Sequence, residues 1–231
     1  MGDTPNTSSS CVQLAVFDYD GTCISGQSGA LFAIYLNHRH YLGFRRGFRL
    51  SWWGVRYKLH LPYRQNEARE VIFDALSQCP REEIQKIMVD FHDESLLPRY
   101  RPQAIKEIER RHREGCVTVL VSATFNTIAQ CAQKVLRTDE VIATDMEIDS
   151  EGHYTGKVSG EVTEGAAKPR AIKQWADKVY GPRKWEIAYA YGDHFSDEAM
   201  LSAARKGYAV TPDKTMRKIA RQCGFTILNW K

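Results

Sequence analysis

The chain has 231 residues, 43% of them hydrophobic, and a formal net charge of +4. That is one large domain or a domain carrying an insertion, with material for a real core, and a charge too mild to suggest nucleic acid by itself. Its six cysteines form no C-x-x-C pair, against zinc-ribbon and dithiol redox motifs, and no run approaches the roughly 18 apolar residues of a membrane span.

The opening "MGDTPNTSSS" is polar and lacks the basic-then-apolar order of a secretion signal. Asn6 stands where a myristoylation motif wants Ser or Thr. A soluble cytoplasmic protein is the expectation. "VQLAVFDYDGT" reads as a buried strand running into a turn. From Ser25 to about Leu97 the apolar spacing is helical. "PQAIKEIERRHREG" is a helix closed by Gly115, and "CVTVLVSAT" a second buried strand. "NTIAQCAQKVL" is helical, "EVIAT" a third strand, and "MEIDSEGHYTGKVSG" a hairpin about Ser150–Gly152 that reads as a structural flap. Then come a helix in "AKPRAIKQWADKVYG", a strand in "WEIAYAYGD" and a helix in "SDEAMLSAARKG". A strand in "YAV", a helix in "DKTMRKIARQCG" and the final "FTIL" complete the chain. The alternation after Pro102 predicts an α/β fold, a parallel sheet with helices on both faces, and Ser25–Leu97 reads as an inserted helical cap.

Charge is unevenly spread. Between Gly21 and Asn66 there is no Asp or Glu but seven Arg and Lys, so this segment alone carries +7. Such asymmetry points to an anionic partner. Within it Phe44, Phe48, Trp52, Val55 and Leu59 form one apolar stripe, with Arg45, Arg46 and Arg49 largely off it and Arg56 near it. The stripe reads first as a cap helix packed on its neighbours. The same pattern fits a helix lying on anionic lipid, and its interleaved aromatics permit single-stranded nucleic acid.

In open parallel sheets, ligands bind beyond the carboxyl ends of the strands. There stand Asp18-Tyr19-Asp20-Gly21-Thr22, Ser122-Ala123-Thr124 and Gly192-Asp193, with Asp197 four residues further on. Two carboxylates as close as Asp18 and Asp20 repel unless a cation or a shared proton relieves them. Asp193 adds a third, which fits a hard divalent cation such as Mg²⁺. A turn in which Asp caps backbone amides accounts for one such pair. It does not account for "GDHFSD" at another strand end.

In this order and spacing, "FDYDGT", "VSAT", "GAAK" and "YGDHFSDEAML" resemble the four motifs of the haloacid dehalogenase-like (HAD) superfamily. The insertion after the first motif resembles the subgroup that includes phosphoserine phosphatase. The resemblance implies a Rossmann-like core over 1–24 and 98–231 with a helical cap over 25–97. It implies Asp18 as nucleophile for the phosphoryl group and Asp20 as general acid, then base, with its backbone carbonyl on Mg²⁺. Ser122, with Ala123, Gly21 and Thr22 around it, would hold phosphoryl oxygens, and Lys168 would neutralise charge there. Asp193 would bind the metal, and Asp197 would support it from its edge. The second Asp favours a phosphatase, because by resemblance dehalogenases lack it and P-type pumps carry Thr there. Lys157 and Lys173 are rivals of Lys168. His194 reads equally as a substrate contact or a solvated residue, His38–His40 as solvated surface, and Cys23 as packing.

Phosphoserine phosphatases carry a Glu nine positions after the nucleophile that holds the substrate ammonium. Here that position is Gln27, and no acid follows until Glu67. The expected substrate is therefore an anionic small-molecule or lipid phosphomonoester without a critical ammonium, and phosphoserine is the alternative. A nucleic-acid- or membrane-binding module on a phosphatase scaffold is the alternative of another class, and a mutase with the same motifs is a third. No stable nucleic-acid partner is expected, and peripheral contact with anionic membrane would run through the cap.

Overall fold

Strand β1 (Val12–Asp18) buries both of its faces: Leu14 and Val16 point one way, Ala15 and Phe17 the other. A central strand of a parallel sheet needs this two-sided apolarity, because helices cover both sides. The computed structural model describes residues 11–41 and 79–231, with Phe48, Trp52, Arg56, Ile72 and Leu76 between them. After β1 come α1 (Ser28–His38), α2 (Arg81–Phe91), a π-helical turn at His92–Leu96, a 3₁₀ turn at Leu97–Arg99 and α3 (Pro102–Arg113). The chain continues through β2 (Val117–Phe125), α4 (Asn126–Leu136), β3 (Glu140–Ile148), β4 (Tyr154–Ser159), α5 (Ala167–Tyr180) and β5 (Trp185–Gly192). A 3₁₀ turn at Phe195–Asp197, α6 (Glu198–Ser202), β6 (Lys206–Val210), α7 (Lys214–Cys223) and β7 (Thr226–Leu228) complete it.

The strands form one sheet in the order β4-β3-β2-β1-β5-β6-β7, parallel except for the β3–β4 pair. The chain builds outward from β1 on one side and then from β5 on the other. The order therefore reverses between β1 and β5, and a crevice opens beyond the carboxyl ends of these two strands. Ile172 and Ala176 of α5, Met200 and Leu201 of α6, and Met216 and Ala220 of α7 pack on one face. Ala104 and Ile108 of α3 share the other with Phe17, Leu120 and Tyr191. This is the doubly covered Rossmann-like sheet expected from the alternation of elements.

Phe32 and Leu36 of α1, with Ile84, Ile87, Met88 and Phe91 of α2, belong to the same buried cluster as that second face. Phe32 packs on Phe91 (ring centroids 4.8 Å) and meets Phe125 at the end of β2 edge-on (6.1 Å). The chain leaves the sheet at Ile24 and returns at Tyr100, and the two crossings bridge each other antiparallel. Ser25 N donates to Arg99 O and Arg101 N to Cys23 O, each at 2.9 Å.

Three local expectations change. The strand in "EVIAT" and the first arm of the hairpin are one strand: β3 pairs parallel with β2 through Val141 and Ile142, then antiparallel with β4 through Asp145 and Met146. The helix in "SDEAMLSAARKG" shortens to Glu198–Ser202, because a 3₁₀ turn takes its start. The apolar stripe expected to pack inside the cap is not buried at its two described members. Phe48 is 67% and Trp52 53% exposed, while Phe44, Val55 and Leu59 lie outside the described residues. Among the described residues, no helix is long and apolar enough to cross a membrane.

Candidate active site

Asp18 is the last residue of β1, in register with Val121 of β2, and its side chain is buried. Lys168, the second residue of α5, donates from Nζ to Asp18 Oδ1 at 2.5 Å and to Asp197 Oδ1 at 2.6 Å. All three side chains are buried, so the lysine is a charge clamped between two carboxylates. Burial alone would strip its proton, but Asp18 and Asp197 raise its affinity well above the ordinary lysine range. Burial raises Asp18 well above the usual carboxylate range; Lys168 opposes that, and Asp197 and Asp193 add to it. The rival lysines lie elsewhere: Lys173 is exposed and pairs with Asp177, and Lys157 is exposed on β4.

Asp193 follows Gly192 at the end of β5 and accepts from Thr22 Oγ1 (3.3 Å). Burial, then Asp197, pushes its carboxyl up to about 7. Carboxylate oxygens of Asp18, Asp193 and Asp197 all lie within 4.8 Å of one another. Three acids forced this close, two of them with raised proton affinity, form a donor set that a hard cation would stabilise. Two glycines make the approach sterically feasible. A Cβ at Gly21, whose φ is +76°, would stand 2.0 Å from Asp193 Oδ2, and one at Gly192 would stand 2.6 Å from Asp197 Cβ.

The Asp20 carboxyl is bound separately from this cluster. Its Oδ1 accepts from Ser28 N (2.6 Å) and its Oδ2 from Ser28 Oγ (2.8 Å), at the first residue of α1. Ser122 is buried in β2 where the ladder with β3 breaks between Val121 and Phe125, an irregularity of the kind found beside active sites. Its Oγ accepts from Thr124 N (3.0 Å), and Thr144 Oγ1 holds Ala123 O (3.1 Å). Asp18, Asp20, Gly21, Thr22, Ser122, Ala123, Lys168, Asp193 and Asp197 thus all stand at the carboxyl ends of β1, β2 and β5 or on the start of α5 and the turn after β5.

Neighbouring contacts add to these placements. Asp197 gives one oxygen to Lys168 and accepts from His194 N with the other (3.3 Å), so it holds the lysine as well as belonging to the acid cluster. His194 is half-buried and caps the 3₁₀ turn, its Nδ1 lying 3.0 Å from Ser196 Oγ. Cys23 is fully buried, and burial raises its thiol, which suits packing. His38 and His40 are exposed. Ser28 escaped sequence reading, Thr124 was read only as a strand-end residue, and the hydrogen-bonded chain from Tyr19 Oη through Tyr100 Oη (2.9 Å) to His92 Nε2 (2.8 Å) was not foreseen. A serine in the first turn of a helix is ordinary, and only the fold shows what it faces.

The model of the haloacid dehalogenase-like hydrolases matches residues 15–202. This chain belongs to that family. The match spans β1 to α6 and so contains every strand end that supplies the acid cluster. Among relatives, the chain is 26% identical over 157 residues to a histidinol-phosphatase of Neisseria meningitidis, covering 68% of this chain and 71% of that protein. It is 24% identical over 221 residues to phosphoserine phosphatase SerB1 of Mycobacterium tuberculosis, covering 94% and 70%. In fold it resembles a Bordetella pertussis protein of unknown function, with a TM-score of 0.83, 24% identity, and 95% and 99% of the two chains covered. It also resembles a phospho-aspartyl intermediate analogue of phosphoserine phosphatase, with a TM-score of 0.65, 19% identity, and coverage of 96% and 94%.

Proposed function

We propose that this haloacid dehalogenase-like hydrolase is a Mg²⁺-dependent phosphomonoester phosphatase that works through an aspartyl-phosphate on Asp18. The observation that carries the reading is Lys168 clamped between Asp18 and Asp197, beside Asp193, with a second carboxyl, Asp20, held apart from the cluster. A carboxylate attacking a phosphate dianion is repelled by it. A buried ammonium fixed at 2.5 Å from the attacking group offsets that repulsion without reorganising. Asp18 and Asp193, with the Asp20 backbone carbonyl and Asp197 at the edge, would hold Mg²⁺, which when bound neutralises phosphoryl charge.

Asp18 Oδ attacks phosphorus and the bond from phosphorus to the alkoxy oxygen breaks, the departing oxygen taking the proton of Asp20. Asp20, now ionised, takes a proton from water as that water attacks the aspartyl-phosphate. The phosphorus–Asp18 bond breaks and inorganic phosphate leaves. Ser122, with the Gly21–Thr22 turn and Ala123 beside it, holds phosphoryl oxygens. Segment 25–97 is assigned the role of cap over this site.

For substrate, the relatives' names point to phosphorylated amino acids and amino alcohols. Gln27 counts against both: it is exposed, and its segment carries no acid to meet the ammonium that each class carries. The preferred substrate is then an anionic phosphomonoester without a critical ammonium, with phosphoserine as the alternative. A second reading places that phosphate on a lipid at an anionic membrane surface, and the exposure of Phe48 and Trp52 in a segment of charge +7 favours it.

A phosphomonoester panel with Mg²⁺, including phosphoserine, histidinol phosphate and lipid phosphates, tests these readings. Asp18→Asn should lower phosphate release more than about 10³-fold on every substrate. Full activity in that variant would defeat the mechanism, and a clear preference for phosphoserine would defeat the substrate argument. Failure to sediment with anionic vesicles at low salt would remove the membrane reading.

A further inference from the structure

We propose that Ser28, with Thr124 behind it, is the positioning residue for the Asp20 carboxyl; the inference rests on the role given to Asp20 above. Asp20 lies in the turn after β1, half-buried, where an aspartate could take several side-chain rotamers. Ser28 removes that freedom. Its amide meets Oδ1 at 2.6 Å and its hydroxyl meets Oδ2 at 2.8 Å, so each carboxyl oxygen is fixed by a separate donor from one fully buried residue. Each carboxylate oxygen has two acceptor sites, and Ser28 occupies one on each.

The serine is itself held. Its Oγ lies 2.9 Å from Thr124 Oγ1, and both hydroxyls are buried. A hydroxyl has one proton to give. With that proton donated to Asp20, the Thr124 hydroxyl is the group that can donate to Ser28. Thr124 is tied through its backbone amide to Ser122 Oγ (3.0 Å). Ser122, Thr124, Ser28 and Asp20 thus form one chain from the end of β2, across the start of α1, to the turn after β1. The groups proposed to hold the phosphoryl oxygens and to serve the leaving oxygen are set against each other by it. A 1 Å misplacement of a proton donor can cost two orders of magnitude in rate.

A helix-capping role alone is the competing explanation, because the Gln27 side chain makes no cap bond to α1 and Asp20 supplies one from outside. The two explanations differ in their dependence on the leaving group. An alkoxide needs a proton as it departs, whereas p-nitrophenolate hardly does, so loss of proton-donor positioning falls on the first. A capping defect has no such preference.

The test compares kcat/KM, which reports the steps up to phosphoryl transfer, for an alkyl phosphate and for p-nitrophenyl phosphate. Ser28→Ala should lower the alkyl value about 10–100-fold and the aryl value less than about 3-fold. In an Asp20→Asn background the same substitution should add less than about 2-fold, because no proton donor is left to position. Thr124→Val keeps the start of α1 intact, so it tests the same chain should Ser28→Ala not fold, and it should show the same preference with a smaller loss. Equal losses on both substrates, no loss on either, or additivity with Asp20→Asn would overturn the proposal. If Asp20→Asn itself shows no leaving-group dependence, the role of Asp20 falls first, and with it this inference.

Discussion

Lys168 sits where burial and charge pull in opposite directions, and the neighbouring acids win. Its ammonium bridges Asp18 and Asp197 in a dry setting, so removing it leaves two buried carboxylates uncompensated. Lys168→Met should therefore destabilise the fold by about 3–5 kcal/mol as well as reduce phosphate release about 10²–10³-fold. Adding Asp197→Asn should recover part of the stability and none of the activity, because it removes buried charge without returning a cation to Asp18. Chemical denaturation and phosphate-release assays on the single and double variants would check both parts. A double variant no more stable than Lys168→Met would show that the clamp is not what holds this end of the sheet. Arg111 offers a contrast. It is equally buried and also pairs with two acids, Glu107 (3.0 Å) and Glu114 (2.6 Å), but both come from its own stretch of chain, and its other contacts, Tyr191 Oη at 2.8 Å and the Tyr189 ring at 3.5 Å, place it among aromatic rings on the α3 face.

Helix ends carry the next level of argument. Helix α7 starts with Asp213 accepting from Met216 N (2.7 Å) and stops at Gly224 with φ +75°, as a helix should. Helix α4 stops at Arg137, exposed and left-handed with φ +58°, where a Cβ is unfavourable. Arg137→Gly should raise stability by about 0.5–1 kcal/mol, the relieved backbone outweighing the entropy that glycine adds to the unfolded chain. Equilibrium unfolding in urea would register it, and a loss of stability would show that the arginine stem supports α4. Elements of this scale were legible where apolar periodicity was strong, as in "CVTVLVSAT" and "PQAIKEIERRHREG", whose period distinguishes a strand buried on two faces from a one-sided helix. Strand ends carrying acids were legible too, since Asp18, Asp193 and Asp197 meet as their positions after β1 and β5 suggested. The continuity within β3 was not, because the strand pairs parallel with β2 at one end and antiparallel with β4 at the other, and a local pattern does not carry that change of partner. The exposure of Phe48 and Trp52 was not legible either, for an amphipathic stripe states which residues share a side and not what covers it. Ser28 was hidden for a related reason: its partners lie 8 and 96 residues away, beyond any local pattern.

Across the whole molecule, charge is arranged in two opposed parts: acids gathered at the strand ends, and a segment from Gly21 to Asn66 with seven cationic residues and no acid. The acid cluster makes metal-free stability depend on pH in a defined direction. The folded value of Asp193 is raised to about 7 from an ordinary 3.8, so its contribution is fully present below about 3.8 and is lost as pH rises through 7. In chelator, the melting temperature of the native protein should therefore fall relative to Asp193→Asn between pH 5.5 and 8. Mg²⁺ at pH 8 should restore the native protein and leave the variant unmoved, because a cation that binds only the folded state stabilises it. Parallel melting curves for the two proteins would contradict the assignment of Asp193. The antiparallel bridge between Ile24 and Tyr100 acts on the same scale. It brings the two ends of the excursion side by side, fastened mainly by backbone groups, with the Ser25 hydroxyl adding a bond to Arg99 O (3.4 Å). Beyond Ser28, whose bonds to Asp20 must be kept, the excursion can vary while Asp18, Asp193 and Asp197 stay as they are. On such an architecture substrate range can change through the excursion while phosphoryl chemistry stays with the strand ends and the first residue of α1.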